Sequence, residues 1–331
     1  MSVTSYTTLP SWPSAYQETG ATAVLKEHNA DFVVTEIPLG LPSGEGEHVW
    51  LDVEKNGANT QYVAAQIAEF AGVRELDVGY AGLKDRYAIT RQWFSVWMPK
   101  TQEPDFTSLN HPEFKIHSQA RHIKKLRPGD LMGNHFDILL REVEGDRALI
   151  EHNLTQIKEH GVPNYFGPQR FGQAGDNVAN GYAMLNREIR VRNKKKKGIY
   201  LSAVRSFIFN EVLAYRIQNQ LWGKQIPGDV LDEQGVATGP MWGRGRPTTQ
   251  DEALSIEDAI AGQHAGLCEG LEFSGLNQDR RALAAVPENL LWSWPETSQL
   301  RLTFSLPAGY YATSLIRECV ETTEPERYVP Q

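Results

Sequence analysis

A chain of 331 residues is long for a single hydrophobic core, so its length favours two domains. Hydrophobic residues make up 40% of the chain, yet no apolar run approaches the ~20 residues that cross a bilayer, which excludes a membrane-spanning helix. The formal net charge of −8 argues, on average, against a polyanionic partner.

The amino-terminal stretch MSVTSYTTLPSWPSAYQ lacks a basic start followed by an apolar core, so it does not resemble a signal peptide. Only two cysteines occur, Cys268 and Cys319, far apart and without CxxC spacing. This pattern excludes a disulfide framework and a zinc cluster. We therefore expect reduced, buried thiols in a cytoplasmic protein.

The first 160 residues alternate between strands and helices, which predicts a mixed α/β sheet domain. Runs rich in β-branched residues predict strands, and Asn29 is expected to join the first two of them. The predicted strands are 23–28, 31–37, 47–57, 89–98 and 135–144. Apolar residues at helical spacing predict a helix with Thr60 as its N-cap and Gly72 as its stop, and another helix at 147–161.

The pattern changes at NYFGPQRFGQAGDN, residues 164–177, where aromatics and glycines without periodicity predict a loop that opens a second unit. Helices follow, the longest predicted at 201–222, and the segment 227–247 is rich in turn residues. Residues 299–321 return to a strand, a Pro-Ala-Gly turn and a helix. We expect this carboxy-terminal part to complete the first domain.

Positive charge is clustered although the net charge is negative. The main basic runs are RHIKKLRPG at 121–129 and REIRVRNKKKKG at 187–198, and smaller ones lie at 244–246 and 279–281. Local potential within about 10 Å steers a ligand more than net charge does. A solvated loop explains any single run, but several runs together favour a nucleic acid or another polyanion.

The common cofactor and nucleophile motifs are missing from the sequence. There is no GxxxxGK[ST] or GxGxxG phosphate cradle, no GxSxG elbow and no paired histidines. A carboxylate acting alone is the simplest remaining catalytic candidate. GYAGLKDRYAITRQWFSV places Asp85 between Lys84 and Arg86 at the entrance to a strand.

A cation that folds back on Asp85 would keep this carboxylate ionised even in a shielded pocket, where it could act as nucleophile or base. The ordinary alternative is an exposed turn with weak surface ion pairs, and spacing alone favours it. The candidate cations are Lys84, Arg86 and Lys26.

Five segments change that balance when they are taken together. They are KEHNADFVVTE, GLKDRYAITRQWFSV, LMGNHFDILLREV, GVPNYFGPQRFG and LPAGYYATSLIREC. In this order they resemble the bacterial tRNA pseudouridine synthase D (TruD) family over residues 20–321. Each motif is short, but GxKD, GNxF, NYFGxQRFG and LPAG with a following ATS are specific as a set.

The resemblance implies an α/β (α+β) fold with a pseudouridine synthase-type catalytic domain, built on a mixed, largely antiparallel sheet. The catalytic domain would comprise 1–159 and 286–331, with an inserted α/β TRUD domain at 160–285. The implied activity converts uridine 13 in the D arm of transfer RNA to pseudouridine, without a metal or cofactor. The implied partner is transfer RNA, and we expect a monomer.

The family's catalytic aspartate falls on Asp85, whose role would be attack at C1′ or removal of a proton at C2′. The resemblance makes Lys84 a supporting cation and Lys26 a second candidate counter-ion. Adjacent residues on an extended chain point in opposite directions, which limits Lys84 to a supporting role.

The resemblance also implies substrate-binding residues, each with a structural alternative. Phe32 and Phe136 would line the pocket or pack in the core, and Asn134 would donate its amide or form a turn. Tyr311 stands where the family usually has phenylalanine; it keeps an aromatic face for stacking on the base, and its hydroxyl needs a partner if buried. Tyr310 is the alternative stacking residue.

Charge clustering suggests phosphate contacts, with salt-sensitive affinity. The expected RNA-binding residues are Arg121, Lys124, Lys125, Arg127, Arg170, Lys194, Lys195, Lys196 and Lys197. Two other functions compete: an inactive RNA-binding protein of the same fold, and a nucleoside or glycoside hydrolase. The hydrolase needs two carboxylates roughly 5 to 9.5 Å apart, and no second acid has motif support.

Overall fold

A computed structural model describes residues 6–99, 102–172 and 175–327. The strands are β1 (Thr22–Val24), β2 (Phe32–Pro38), β3 (His48–Asn56), β4 (Val78–Tyr80), β5 (Ile89–Trp97), β6 (Phe114–His122), β7 (Leu131–Glu144), β8 (Val162–Pro163), β9 (Thr238–Met241), β10 (Asp279–Ala282), β11 (Ala284–Ala285), β12 (Glu288–Glu296), β13 (Gln299–Pro307) and β14 (Glu321–Thr323). The α-helices are α1 (Thr60–Ala71), α2 (Arg147–His160), α3 (Asp176–Leu185), α4 (Lys194–Gln218), α5 (Asp251–Gln263), α6 (Ala265–Glu272) and α7 (Ala312–Ile316). Among the described residues, no helix has the length and apolar character that crossing a membrane requires.

The chain divides into two compact units. Unit 1 contains the described parts of residues 1–18, 151–286 and 311–319. Unit 2 contains the described parts of residues 19–150, 287–310 and 320–331. Each unit therefore gathers segments that lie far apart in the sequence.

Unit 2 is built on a ten-stranded sheet with the central order β12-β13-β7-β2-β5-β3-β6. Neighbouring strands along this path are antiparallel except β2 and β5, which run parallel. β1 joins β7 and β14, and β4 joins β5. The sheet is mixed and largely antiparallel, as predicted.

Helix α1 covers one apolar cluster of this sheet, and its ends follow from local chemistry. Val63 and Ile67, one turn apart, are fully buried in a core that includes Leu51 and Phe94. Burying such a side chain stabilises the fold by about 1.5–3 kcal/mol. The helix ends at Gly72, whose φ of 67° is the left-handed conformation that glycine adopts without strain. The predicted helix is confirmed, but its N-cap is Asn59 rather than Thr60, and the Asn59 side chain makes no capping hydrogen bond.

The register of β2 and β7 brings polar and aromatic side chains onto one face of the sheet. Glu36 lies opposite Asn134, and Phe32 lies opposite Ile138 four pairs further along. Because successive side chains of a strand alternate between faces, Phe32 and Glu36 share the buried face. This row positions the candidate site.

Among the predicted boundaries that differ from the structure, two have a local cause. The strand expected at 23–28 ends at Val24, and β1 pairs with β7 and β14 rather than with β2. The reason lies at Lys26, whose φ of 58° turns the chain out of the extended conformation. The long helix expected from residue 201 begins at Lys194, because the Asn193 side chain caps it by accepting from Lys196 N at 3.0 Å.

Unit 1 combines helices α3–α6 with two small two-stranded sheets, β9–β10 and β8–β11. Its core is rich in aromatic residues, with Tyr165, Phe171 and Phe209 fully or almost fully buried. The predicted loop at 164–177 holds a short 3₁₀ turn, Pro168–Phe171, and α3 begins near its end at Asp176. Residues 173 and 174 lie outside the described part of the chain.

Candidate active site

Asp85 lies in the connection between β4 and β5, and side chains of unit 2 anchor that connection by its backbone. Lys84 N donates to Thr60 Oγ1 at 3.0 Å, and Gln92 Nε2 donates to the carbonyl of Gly82 at 3.0 Å. The Thr60 hydroxyl in turn donates to Gln92 Oε1 at 3.2 Å. Thr60 and Gln92 are both buried, so this part of the loop is held by rigid elements.

Lys55 holds the loop at Asp85 itself. Its Nζ donates to the main-chain oxygen of Asp85 at 2.5 Å, and its side chain is only 1% exposed. Burial lowers the pKa of Lys55 to about 8, and the negative charge of Asp85 opposes this shift. Lys55 therefore places a second cation beside the aspartate.

The counter-ion of the Asp85 carboxylate is Lys26. Its Nζ lies 3.1 Å from Asp85 Oδ2 and 3.2 Å from Glu324 Oε1. The Lys26 side chain is 10% exposed, whereas that of Asp85 is 44% exposed. The guanidinium of Arg327 donates to the carbonyl of Lys26 and helps to hold its left-handed backbone. The pair thus joins a buried, fixed cation to an accessible carboxylate.

The two cations adjacent to Asp85 in the sequence point elsewhere. Arg86 Nε donates to the carbonyl of Gly57 at 3.1 Å. Lys84 Nζ lies 3.3 Å from Glu36 Oε2 and donates to Asn134 Oδ1. Of the three cations considered from the sequence, Lys26 forms the ion pair with Asp85.

Lys84 and Glu36 form a buried ion pair on the sheet. Their side chains are 7% and 1% exposed. Burial raises the pKa of Glu36 and lowers the pKa of Lys84, and in each case the partner's charge opposes the shift. A hydrogen bond from Trp93 N to Glu36 Oε1 at 3.2 Å fixes the carboxylate. The pair holds Asn134 in place rather than facing Asp85.

Phe32 and Phe136 are packed into a row of aromatic rings and are both buried. Their ring centroids lie 6.3 Å apart in an edge-to-face arrangement, and Phe136 stacks on Phe304 at 5.3 Å. Lys26 Nζ lies 4.7 Å from the centroid of Phe32, within the range of a cation–π interaction. Phe32 therefore supports the cation that pairs with Asp85.

Tyr311 and Arg170 belong to unit 1, where they contact each other. Arg170 donates through Nη2 to the Tyr311 hydroxyl at 2.9 Å and through Nη1 to Ser202 Oγ at 3.0 Å. The guanidinium also lies 5.2 Å from the ring centroid of Phe166. The hydroxyl that distinguishes Tyr311 from phenylalanine thus has a charged partner. Tyr310 belongs to unit 2.

The expected RNA-binding residues fall into two groups: some are engaged in contacts within the protein, and the others are exposed. Arg121 forms an ion pair with Glu103 and donates to the carbonyl of Met98 at 2.9 Å, and Lys125 Nζ donates to the carbonyl of Leu76 at 2.5 Å. Arg170 is engaged as described above. The exposed residues are Lys124, Arg127, Lys194, Lys195, Lys196 and Lys197.

Lys55, Glu36 and Glu324 were not expected from the sequence. A signal for the first two exists in the strand pattern. In VWLDVEKN, Lys55 follows the alternation of the apolar residues Val49, Leu51 and Val53. In FVVTE, Glu36 follows the alternation of Phe32 and Val34. A charged residue at a buried strand position requires a partner and marks a site candidate. Glu324 lies 298 residues from Lys26 in the sequence, and no sequence pattern indicates their contact.

Among the described residues, no group of His, Cys, Asp or Glu side chains could hold a metal ion. The chemistry available here is that of an accessible carboxylate with a fixed ammonium partner. Such a carboxylate can attack an electrophilic carbon or remove a proton.

Comparisons with known proteins identify the family of this chain. The family model described as tRNA pseudouridine synthase D (TruD) matches residues 14–193. The tRNA pseudouridine synthase D of Hydrogenovibrio crunogenus is 42% identical over 93% of this chain and 95% of its own, and that of Nitrosococcus oceani is 42% identical over 92% of each. A solved structure from Methanosarcina mazei, described under the same name, matches with a TM-score of 0.73 and 20% identity over 95% of this chain and 96% of its own. The chain belongs to the tRNA pseudouridine synthase D (TruD) family.

Proposed function

We propose that this protein is a tRNA pseudouridine synthase that isomerises uridine 13 in the D arm of transfer RNA. The observation that carries the proposal is the accessible Asp85 carboxylate, ion-paired at 3.1 Å with Lys26, in a chain of the TruD family. Relatives that share 42% of their residues with it are named tRNA pseudouridine synthase D.

The reaction breaks the bond from C1′ to N1 and forms a bond from C1′ to C5. N1 gains a proton and C5 loses one, so the product is an isomer of the substrate. Asp85 either attacks C1′, giving a covalent sugar adduct, or removes the proton at C2′, giving a glycal. Lys26 stabilises the carboxylate when it is negative, and contacts with Asp85 and Glu324 hold its ammonium in place.

The detached uracil must be retained and turned within the site. We assign a contact with the base to Asn134, which lies beside Lys84. On the family resemblance alone, the aromatic face of Tyr311 is assigned to stacking on the base. Phe136 packs beside Phe32, which contacts Lys26, so these two rings support the site from the sheet.

The target nucleotide lies within a folded RNA, so it must be extruded before Asp85 can reach its ribose. We propose that the exposed basic residues bind phosphates, foremost Lys194–Lys197 at the start of α4. Beside them lies an open cavity of about 380 Å³ whose lining includes Arg187, Arg190 and Lys197. Arg121 contributes less, because its guanidinium already pairs with Glu103.

We further propose a catalytic domain of residues 1–159 and 286–331 with a TRUD domain inserted at 160–285. The protein would act as a monomer in the cytoplasm, with transfer RNA as its partner. These proposals rest on the family resemblance and on the absence of sequence features that demand a partner subunit.

One experiment tests the activity. Wild-type protein and Asp85→Asn are incubated with unmodified transfer RNA, and pseudouridine is mapped at single-nucleotide resolution. We expect pseudouridine at position 13 with the wild type and none with Asp85→Asn. Asp258→Asn, at an exposed position of α5, is the matched control and should retain activity.

The two competing functions give different results in the same assay. Binding of transfer RNA without any change in its uridines would identify an RNA-binding protein, and release of free uracil would identify a hydrolase. Deuterium at C2′ separates the two chemical routes, because it slows proton removal but not attack at C1′. Undiminished activity of Asp85→Asn would remove this residue from the mechanism.

A further inference from the structure

The contact between Lys84 and Asn134 fixes which way the Asn134 amide faces. Lys84 Nζ donates to Asn134 Oδ1. An ammonium has only donors, so the amide oxygen must point towards it, and the NH₂ group then points away. Asn134 can therefore offer only donors to a bound molecule.

Lys84 is held in this position by Glu36. The ammonium lies 3.3 Å from Glu36 Oε2, and the carboxylate is fixed by Trp93 N at 3.2 Å. Glu36 and Asn134 are directly opposite each other on β2 and β7, two paired strands within the sheet. The chain of contacts from Glu36 through Lys84 to Asn134 is thus set by rigid elements and not by a loop.

We propose that Glu36 is a positioning residue that keeps the Asn134 amide as a fixed donor to a carbonyl oxygen of the base. This inference rests on the proposed function, since it concerns a uracil in the same site. It assigns Glu36 a role in reading the base, although its carboxylate is buried and touches no substrate.

The symmetry of uracil explains why a fixed donor suits this reaction. Turning the base about the axis through N3 and C6 exchanges N1 with C5, and it also exchanges O2 with O4. A donor that meets one carbonyl before the turn meets the other after it. The Asn134 amide therefore need not move while the base turns.

The same geometry discriminates against cytosine. Cytosine carries an amino group in place of O4, so a fixed NH₂ would face another donor either before or after the turn. Leaving such donors unpaired in a closed site is costly, and a site built to bind one hydrogen-bonding pattern rejects its complement.

Base reading is tested by binding, with Asp85→Asn as the background so that no turnover occurs. Transfer RNAs with uridine or cytidine at position 13 are compared, and we expect the uridine form to bind about tenfold more tightly. Adding Asn134→Asp keeps the shape and the acceptor for Lys84 but removes the donors. We expect this variant to bind both RNAs equally or to prefer cytidine. An unchanged preference for uridine would overturn the proposal.

The role of Glu36 is tested by the pH profile of the single-turnover rate in the otherwise unmodified enzyme. The titratable groups around Lys84 are Glu36 on β2, Lys55 on β3 and Asp85 next in the chain. In Glu36→Gln the buried ammonium loses its opposing charge and gives up its proton at lower pH. A neutral amine can accept, so the Asn134 amide is no longer fixed.

We expect Glu36→Gln to react at nearly the wild-type rate at pH 6 and about tenfold more slowly than wild type at pH 9. Glu54→Gln on β3, whose carboxylate lies 3.5 Å from His117 Nε2, should follow the wild-type profile. A Glu36→Gln profile parallel to that of the wild type would overturn the positioning role. Failure of the proposed function is a separate result, because wild-type protein would then form no pseudouridine at any pH.

Discussion

The ionisation of Lys55 should change the free energy of unfolding measurably with pH. Its side chain is buried, and its Nζ donates to the main-chain oxygen of Asp85 at 2.5 Å. Burial lowers the pKa of Lys55 from its ordinary 10.5 to about 8. The variant Lys55→Met retains most of the aliphatic volume and removes the ammonium.

The magnitude follows from the difference between the folded and unfolded pKa values. At about 1.4 kcal/mol per pKa unit, keeping Lys55 protonated in the folded chain costs about 3 kcal/mol below pH 8. Between pH 8 and 10.5 the unfolded chain binds more protons than the folded chain, so stability rises with pH. The two titrations together give a gain of about 2 kcal/mol from pH ~7 to ~9.5.

The assay compares the free energy of unfolding of wild type and Lys55→Met by urea titration at both pH values. Other groups titrate in both proteins, so the difference isolates Lys55. Near pH 7 we expect similar stabilities, because the desolvation cost of about 3 kcal/mol is offset by a charged hydrogen bond worth about 1.5–3 kcal/mol. At the higher pH the wild type should be the more stable by about 2 kcal/mol.

The control is Lys115→Met, at an exposed position of β6, for which the difference from wild type should not change with pH. A stability difference between wild type and Lys55→Met that is the same at both pH values would refute the reasoning. It would mean that Lys55 keeps an ordinary pKa and that its ammonium is solvated.

Three further predictions concern activity and binding. Lys26→Met should lower the single-turnover rate about 100-fold, the typical loss for one preorganised electrostatic partner, whereas Arg86→Met should change it by less than about threefold. Tyr311→Phe keeps the ring and loses the bond from Arg170, so stability should fall by about 1–2 kcal/mol in urea titrations while activity changes less than about tenfold. Replacing Lys194–Lys197 by glutamine should reduce the slope of log affinity against log salt by up to about 3, and Lys115→Gln should leave it unchanged.

Sequence patterns predicted the elements whose signals are local. Helix α1 has apolar residues one turn apart and a glycine stop, and both features depend on neighbouring residues only. The strand expected at 23–28 was wrong beyond Val24, because the contacts of Lys26 with Asp85 and Glu324 favour a left-handed backbone at that residue. Such contacts override the β propensity of a short run.

The candidate site was predictable only in part, because contacts between residues that are distant in the sequence decide its ion pairs. The motif around Asp85 singles out the carboxylate, and proximity in sequence suggested Lys84 and Arg86 as its partners. In the fold, the Lys84 side chain contacts Glu36 and the Arg86 side chain contacts the carbonyl of Gly57. Lys26, which follows β1, is the residue that contacts the Asp85 carboxylate. Pairing across 59 residues depends on strand order, which residue spacing does not encode.

The distribution of burial around Asp85 also has a chemical rationale. The charged groups that are buried near Asp85 are the ammonium groups of Lys26, Lys55 and Lys84. Burial lowers the pKa of Lys55 and of Lys84. The carboxylate itself stays 44% exposed. A reacting group must remain open to its substrate, whereas the charges that support the site act best when they cannot reorganise. Burying the supporting lysines and not the aspartate satisfies both requirements, so the stability of this part of the sheet and its reactivity depend on the same three cations.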